Sequence, residues 1–287
     1  MQHGVLVSGA STGIGRASVL ELAGRGVRVF AGVRRSEDGE ALRAEVGEHV
    51  VPVRLDVTDG AAIAAAVEEI AAANGDRALS GLVNNAGIVV AGPLEFLPVD
   101  AVRRSFEANV VGLLALTQAC LPLLRSGRGR IVNMGSISGR FASPLLGPYA
   151  ASKFAVEALS DALRRELAPW GIPVALIAPG AVATPIWEKS ATAAQALLEG
   201  LPAEAHAYYG ADIEHAQGRA LRAARTGIPA AAVAVVVHEA LTASRPRTRY
   251  LVGRDARIGA FLARWLPDRI LDRYTRSTRS GTAGRDD

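Results

Sequence analysis

The chain has little of what a stapled or metal-organised fold needs. Its 287 residues include one cysteine, Cys120, so no internal disulfide forms and no thiolate cluster holds a metal. No metal site is expected. A reducing compartment, and so the cytoplasm, is the expected setting. Aromatic residues make up 5%, and no basic run is interleaved with them, which argues against nucleic-acid recognition. No run of about 18 uncharged apolar residues occurs, so no membrane-spanning helix is expected. The start, Met1-Gln2-His3-Gly4-Val5, lacks a basic stretch followed by a long apolar one, so no signal peptide is read. Lysine is scarce too. Only Lys153 and Lys189 occur, and arginine fills every other fixed cationic position.

What is present is a regular alternation. Hydrophobic residues are 49% and charged residues 21% of the chain, a globular balance. Short β-branched runs at 5–8, 27–33, 50–55, 81–84, 129–134, 173–177 and 249–252 read as strands. Most are apolar throughout, as parallel strands covered on both faces are. Helix-length segments at 14–25, 59–73, 99–124, 149–168 and 230–243 lie between them. Strand-helix alternation predicts an α/β, Rossmann-type doubly wound parallel sheet. No composition break divides the chain, so one domain over 1–287 is expected.

The segment Ser8-Gly9-Ala10-Ser11-Thr12-Gly13-Ile14-Gly15 joins the first strand to the first helix. Glycines in such a turn let a diphosphate approach the backbone, and the helix N-terminus offers it unpaired N–H groups. A plain tight turn is the rival reading. The second strand ends in Val33-Arg34-Arg35, with no carboxylate before Glu37. A dinucleotide 2′-phosphate suits an arginine, whereas a carboxylate there would suit a free 2′-hydroxyl. Arg34, with Ser11 and Thr12 as hydroxyl donors, favours NADP(H) over NAD(H). Arg34 and Arg35 as ordinary loop cations are the alternative.

Tyr149 and Lys153 stand four residues apart at a predicted helix start, and so on one face. A free phenol is a poor base at neutral pH. An ammonium about 4 Å away favours the phenolate by about 4 kcal/mol at an effective dielectric of about 20. Lys153 is therefore expected to lower the Tyr149 pKa. Ser136 follows a predicted strand, so its hydroxyl emerges at the sheet's carboxyl edge, where it can polarise a carbonyl. Ser138 is its rival by proximity.

The series Gly9/Gly13/Gly15, Asn84-Asn85-Ala86-Gly87, Asn109, Ser136 and Tyr149-x-x-x-Lys153, in this order and spacing, resembles the short-chain dehydrogenase/reductase family over about residues 4–185. The resemblance implies hydride transfer at a nicotinamide and a Ser136-Tyr149-Lys153 centre. Asn109 would hold a water linking Lys153 to solvent. Gly9, Ser11, Thr12, Gly13, Ile14 and Gly15 would cradle the cofactor, and Asn84, Ala86 and Gly87 would line it. Asp56 and Val57 would meet the adenine, Tyr149 and Lys153 the nicotinamide ribose. Pro179, Gly180, Val182 and Thr184 would border the nicotinamide. Taken one at a time, several of these residues fit plainer structural roles. Residues 84–87 form a turn, Asp56 caps the next helix, Asn109 packs or kinks its helix, and Thr184 before Pro185 starts one. A homodimer or homotetramer is implied by the resemblance alone.

The stretches 153–161 and 249–253 are similar to the retinol and hydroxysteroid dehydrogenase branch, which implies a bulky apolar alcohol or carbonyl substrate. A helical cap at about 184–228, holding Trp187, Tyr208, Tyr209, His206 and His215, is expected on the substrate side. Both histidines read as surface residues. The rivals to an enzyme of this family are a dinucleotide-sensing regulator without turnover and a sugar-nucleotide epimerase or dehydratase. The latter favour G-x-x-G-x-x-G and a larger carboxyl-terminal domain, which this chain lacks. The net charge is +4, but residues 245–279 hold ten Arg and three Asp. The basic carboxyl-terminal segment, about 254–287, overlaps that stretch and includes an amphipathic run that Pro267 interrupts. Packing against the cap or a neighbouring subunit is favoured over peripheral membrane contact. Residues after Thr278 read as a frayed end.

Overall fold

A computed structural model describes residues 2–75, 77–184 and 198–277. Its strands are β1 (Val5–Ser8), β2 (Val29–Val33), β3 (Val50–Arg54), β4 (Gly81–Asn84), β5 (Arg130–Met134), β6 (Val174–Pro179), β7 (Val182–Ala183), β8 (Ile228–Pro229) and β9 (Arg249–Val252). Seven of them form a parallel sheet in the order β3-β2-β1-β4-β5-β6-β9. Side-chain alternation on β1 shows why the sheet is buried twice. Val5 and Val7 join the core on one face, and Leu6 joins the core on the other. The strand order reverses between β1 and β4, which opens a crevice at their carboxyl ends, where such sheets bind ligands.

The helices are α1 (Gly13–Gly24), α2 (Ser36–Val46), α3 (Gly60–Asn74), α4 (Val99–Phe106), α5 (Gly112–Ser126), α6 (Gly147–Leu167), α7 (Ala203–Thr226), α8 (Ala230–Thr242), α9 (Arg254–Trp265) and α10 (Asp268–Ser277). Helices α1, α2 and α8 add Val19, Leu22, Leu42, Val233 and Val237 to one face. Helices α3, α5 and α6 add Ile63, Ile70, Leu116, Leu124 and Leu163 to the other. Burial of a side chain of this size contributes about 1.5–3 kcal/mol, so the two faces together drive collapse.

Three regions depart from the sequence reading. Helix α2 is unexpected because SEDGEALRAEV has almost no apolar stripe. It docks with Gly39, where a Cβ would come within 2.7 Å of the Pro52 side chain. The helix expected at 99–124 is two helices joined by a π-helical turn, Glu107–Val111. Strands β7 and β8 are two-residue pieces that pair with each other. They zip together the two ends of the long excursion after β6.

The run Val99–Ser126 is also long and apolar enough to cross a membrane by composition, contrary to expectation. Here it lies against the sheet with half of its apolar window buried, which accounts for its composition. Asp59, not Asp56, caps α3, accepting from the N–H groups of Ala61 at 2.8 Å and Ala62 at 3.2 Å. Helix α9 stops before Pro267, as proline requires. Trp187, Lys189, Pro185 and the end after Ser277 lie outside the described residues.

Candidate active site

The loop after β1 is built from backbone. Gly9 and Gly13 hold φ of +64° and +59°, a region other residues rarely adopt. A Cβ on Gly9 would come within 2.9 Å of the Ala86 Cα, and one on Gly15 would overlap the Gly9 carbonyl. Thr12 stands at the N-cap of α1 yet makes no capping hydrogen bond, and no acidic residue occupies the first turn. The first N–H groups of α1 therefore keep their affinity for an anion. Ser11 and Thr12 are half-buried beside them, and Ile14 packs inward on the core.

The turn after β4 fastens this loop. Ser8 Oγ accepts from the N–H groups of Asn85 at 3.0 Å and Ala86 at 3.1 Å. Asn85 Nδ2 donates to the carbonyls of Ser8 at 3.0 Å and Gly9 at 3.1 Å. Asn84 points elsewhere. It donates to Thr117 Oγ1 at 2.8 Å and Asn133 Oδ1 at 2.9 Å inside the protein. The Asn84 side chain thus ties β4 to β5 and α5.

At the far side of the loop, Arg35 is paired with Asp38. Arg34 is exposed and makes no ion pair among the described residues. Asp56 accepts from Thr58 N–H at 2.9 Å and Thr58 Oγ1 at 2.7 Å. Those bonds first, and Arg34 to a lesser degree, hold its carboxyl below the usual range. Val57 lies against Gly112, where only a missing side chain lets α5 approach the Val57 carbonyl.

Across the crevice the site is made of buried polar side chains. Asn109 sits in the π-helical turn, 1% exposed. Its Oδ1 accepts from Ile88 N–H at 2.8 Å, and its Nδ2 donates to Ile88 O and Ser152 Oγ, both at 2.9 Å. It thereby pins Gly87 and Ile88 to α6. Such π-bulges recur at functional sites, so the kink reading and the site reading meet in one residue. Lys153 is buried and donates to the Met134 carbonyl at 2.8 Å. Burial pulls its pKa down to about 8. Ser136 is buried at the end of β5 and within side-chain hydrogen-bonding reach of Tyr149. Its rival Ser138 only donates its backbone N–H to Ser136 Oγ, at 3.1 Å.

One electrostatic expectation is overturned. Burial raises the Tyr149 pKa, and the group opposing that rise is Ser136, not Lys153. The reason is geometric. The Lys153 ammonium is turned to Met134 and sits 5.7 Å from the centre of the Tyr149 ring.

The crevice is closed by the segment after β6. Pro179 ends that strand, and Gly180 lies under the Asp255 carboxylate, which a Cβ would overlap. Asp255 accepts from Ala181 N–H at 2.6 Å. Val182 is buried in β7, and Thr184 packs on Gly13, so this segment touches the glycine loop. Above it, α7 is anchored through Tyr209, which donates to Glu95 at 2.8 Å and meets Phe96 edge-on. His206 bonds the Leu198 carbonyl at 3.0 Å, a packing role.

Comparison with known proteins now decides the family. The short chain dehydrogenase family profile matches residues 3–195. The chain belongs to that family. An NADPH-dependent 3-dehydrocapnine reductase of Ornithobacterium rhinotracheale is 35% identical over 93% of this chain and 94% of its own. Retinol dehydrogenase 5 of Mus musculus is 35% identical over 93% of this chain and 86% of its own. A short chain dehydrogenase of Burkholderia cenocepacia, solved with NADP, superposes with a TM-score of 0.73 at 27% identity, covering 95% and 98% of the two chains. The protein is therefore an oxidoreductase, and the retinol and hydroxysteroid branch is among its relatives.

The branch-like stretches of this short-chain dehydrogenase meet in space. Glu157 accepts from Arg140 at 3.0 Å and pairs with Arg249. Arg140 follows the Ser136 turn, Glu157 lies one helical turn beyond Lys153, and Arg249 begins β9. The cluster joins three pieces of chain whose pairing no linear spacing reveals. Asn85, Glu157 and Asp255 buttress the site, and the sequence assigns none of them a role there. An acidic residue in an arginine-rich background is the only signal for the last two. Cys120 is buried, its thiol pushed up to about 12, so it is no nucleophile at neutral pH.

Proposed function

We propose that this short-chain dehydrogenase interconverts an apolar secondary alcohol and its ketone, or an alcohol and an aldehyde, with NADP(H). One observation carries the reading: Tyr149 lies within reach of Ser136 and beside Lys153, and Lys153 and Asn109 back onto Gly87, in the turn that fastens the uncapped, glycine-lined loop at the start of α1. The residues fit a dinucleotide, because Gly15 lets the start of α1 pack directly on the Gly9 carbonyl, which keeps the loop tight, and the α1 N–H groups lack a side-chain cap. Gly9, Ser11, Thr12, Gly13, Ile14 and Gly15 would hold the diphosphate, Asp56 and Val57 the adenine. Ala86, Gly87 and Lys153 would hold the nicotinamide ribose, and Pro179, Gly180, Val182 and Thr184 the ring.

When bound, the nicotinamide gives or takes the hydride. Ser136 donates a hydrogen bond to the substrate oxygen and steadies charge there. Tyr149 Oη delivers a proton to that oxygen in reduction and removes it in oxidation. Lys153 is fixed by Met134 and keeps its ammonium beneath the phenol. Asn109 positions the Gly87–Ile88 backbone against α6 and supports a water link from Lys153 to solvent.

Arg34, left without an ion pair among the described residues, supports NADP(H) over NAD(H). The apolar rim supports an apolar substrate: Leu94 is 67% exposed and lies over Gly147, two residues before Tyr149. The relatives named for NADPH and for retinol agree with both points. Exposed Val111 and Phe154, on the α5 and α6 side, support a homo-oligomer. Nothing favours a sensing role without turnover. The test is nicotinamide absorbance with a panel of apolar ketones, aldehydes and alcohols. NADPH-dependent turnover of at least one apolar carbonyl is expected; turnover confined to charged substrates, or none with either cofactor, contradicts the reading.

A further inference from the structure

Helix α9 is seated by a narrow inner face. Ala256 is fully buried, and Gly259 lies on Ile137, beside Ser136. Its outer face is apolar where solvent should be. Ile258, Phe261 and Trp265, at i, i+3 and i+7, are 54%, 62% and 66% exposed, and Ile270 on α10 is 48% exposed. A contiguous exposed stripe of this kind marks an interaction surface. Arginines flank it. A cavity of about 270 Å³ opens beside the stripe, lined by Arg140, Arg249, Leu251, Arg257, Phe261 and Arg264. Glu157 balances the inner pair, Arg140 and Arg249. Arg257 and Arg264 make no ion pair among the described residues, so the mouth of the cavity carries uncompensated positive charge.

The charge selects the occupant. A second copy docked about a twofold axis would set this arginine-rich face against itself, and like charges oppose that. A free anion would satisfy the guanidinium groups but leave the aromatic stripe in water. An anionic bilayer satisfies both: phosphates meet the arginines, and the acyl boundary takes the apolar side chains. We propose that α9 and α10 seat this protein on an anionic lipid surface, with a lipid phosphate in the cavity of Arg140, Arg249, Arg257 and Arg264. Ile258, Phe261 and Trp265 enter the acyl boundary. The docked face lies one helix from the Ser136 turn, in the layer where apolar substrates concentrate.

The test is co-sedimentation of the full chain with phosphatidylcholine vesicles, with and without phosphatidylglycerol. Binding at least tenfold stronger to the anionic vesicles is expected, and it weakens with salt. The double variants Phe261→Ser/Trp265→Ser and Arg257→Glu/Arg264→Glu should each lose at least tenfold of that binding. Both should keep wild-type turnover on a water-soluble carbonyl, which reports intact folding, and wild-type size by light scattering. Equal binding to neutral vesicles overturns the proposal. So does a change of oligomeric state in either variant, which would make the face a contact between copies. Complete displacement by inorganic phosphate at constant ionic strength would reduce the site to a free-anion pocket and overturn it as well.

Discussion

The loop after β1 and the cluster behind β5 face one crevice, yet the first is built from backbone and the second from side chains. At Gly9, Gly13 and Gly15 the useful groups are N–H donors, and an added Cβ would meet the Ala86 backbone, the Thr184 side chain or the Gly9 carbonyl, against which the loop is packed. At Asn109, Ser136 and Lys153 the useful groups are buried polar atoms, held at Asn109 and Lys153 by Ile88, Ser152 and Met134, and Tyr149 stands half-buried beside them. The first kind of site is sensitive to volume and indifferent to ionisation. The second is sensitive to chemistry, pH and burial. Substitutions in the two regions should therefore fail in different ways.

The largest separation is expected for Tyr149→Phe. It removes the proton donor and leaves the loop intact, so kcat should fall about a thousandfold while cofactor affinity by fluorescence titration stays near wild type. A matching loss of cofactor affinity would merge the two regions and break the comparison. Next in size is the ionisation of Lys153. Burial lowers its pKa from 10.5 to about 8 in the folded protein. Between those values the unfolded chain binds more protons, so stability rises with pH, by about 3 kcal/mol across the window. Urea midpoints at pH 7 and pH 10 should show that rise in the wild type and lack it in Lys153→Met. An identical pH profile in both would remove the buried ammonium from the account.

Gly15→Ala probes volume alone. Overpacking of this kind costs about 1–3 kcal/mol, read as a rise of at least tenfold in the cofactor Kd, with kcat at saturation little changed. A fall in kcat at unchanged Kd would reverse the assignment of the loop. The smallest effect is expected for Arg34→Ala. Loss of one charge-assisted bond weakens NADPH binding about tenfold and leaves NADH unaffected. Equal loss for both cofactors would show that Arg34 does not read the 2′-phosphate.

The two regions also differ in how far the sequence discloses them. Glycine spacing announces the backbone site because the constraint on each glycine is local. The four-residue spacing of Tyr149 and Lys153 places them on one face correctly, but the turn of Lys153 toward Met134 depends on a neighbouring strand and leaves no trace in the spacing. Asn84 and Asn85 read alike in sequence. Only the pairing of β1 with β4 separates the one that fastens the loop from the one that ties the sheet together. Helix α2 escapes notice because its contact with β3 rests on Gly39 and Leu42, too few positions to make a stripe. The β7–β8 pair escapes because two residues have no period.

The central claim is that the Tyr149 hydroxyl faces the reactive carbon of a bound nicotinamide. A crystal structure with NADP⁺ tests it most directly. The account requires the diphosphate over the start of α1, the ring against the Pro179–Thr184 segment, and Tyr149 Oη beside the ring's reacting carbon with Lys153 on the ribose. A ring bound out of reach of Tyr149 would contradict it.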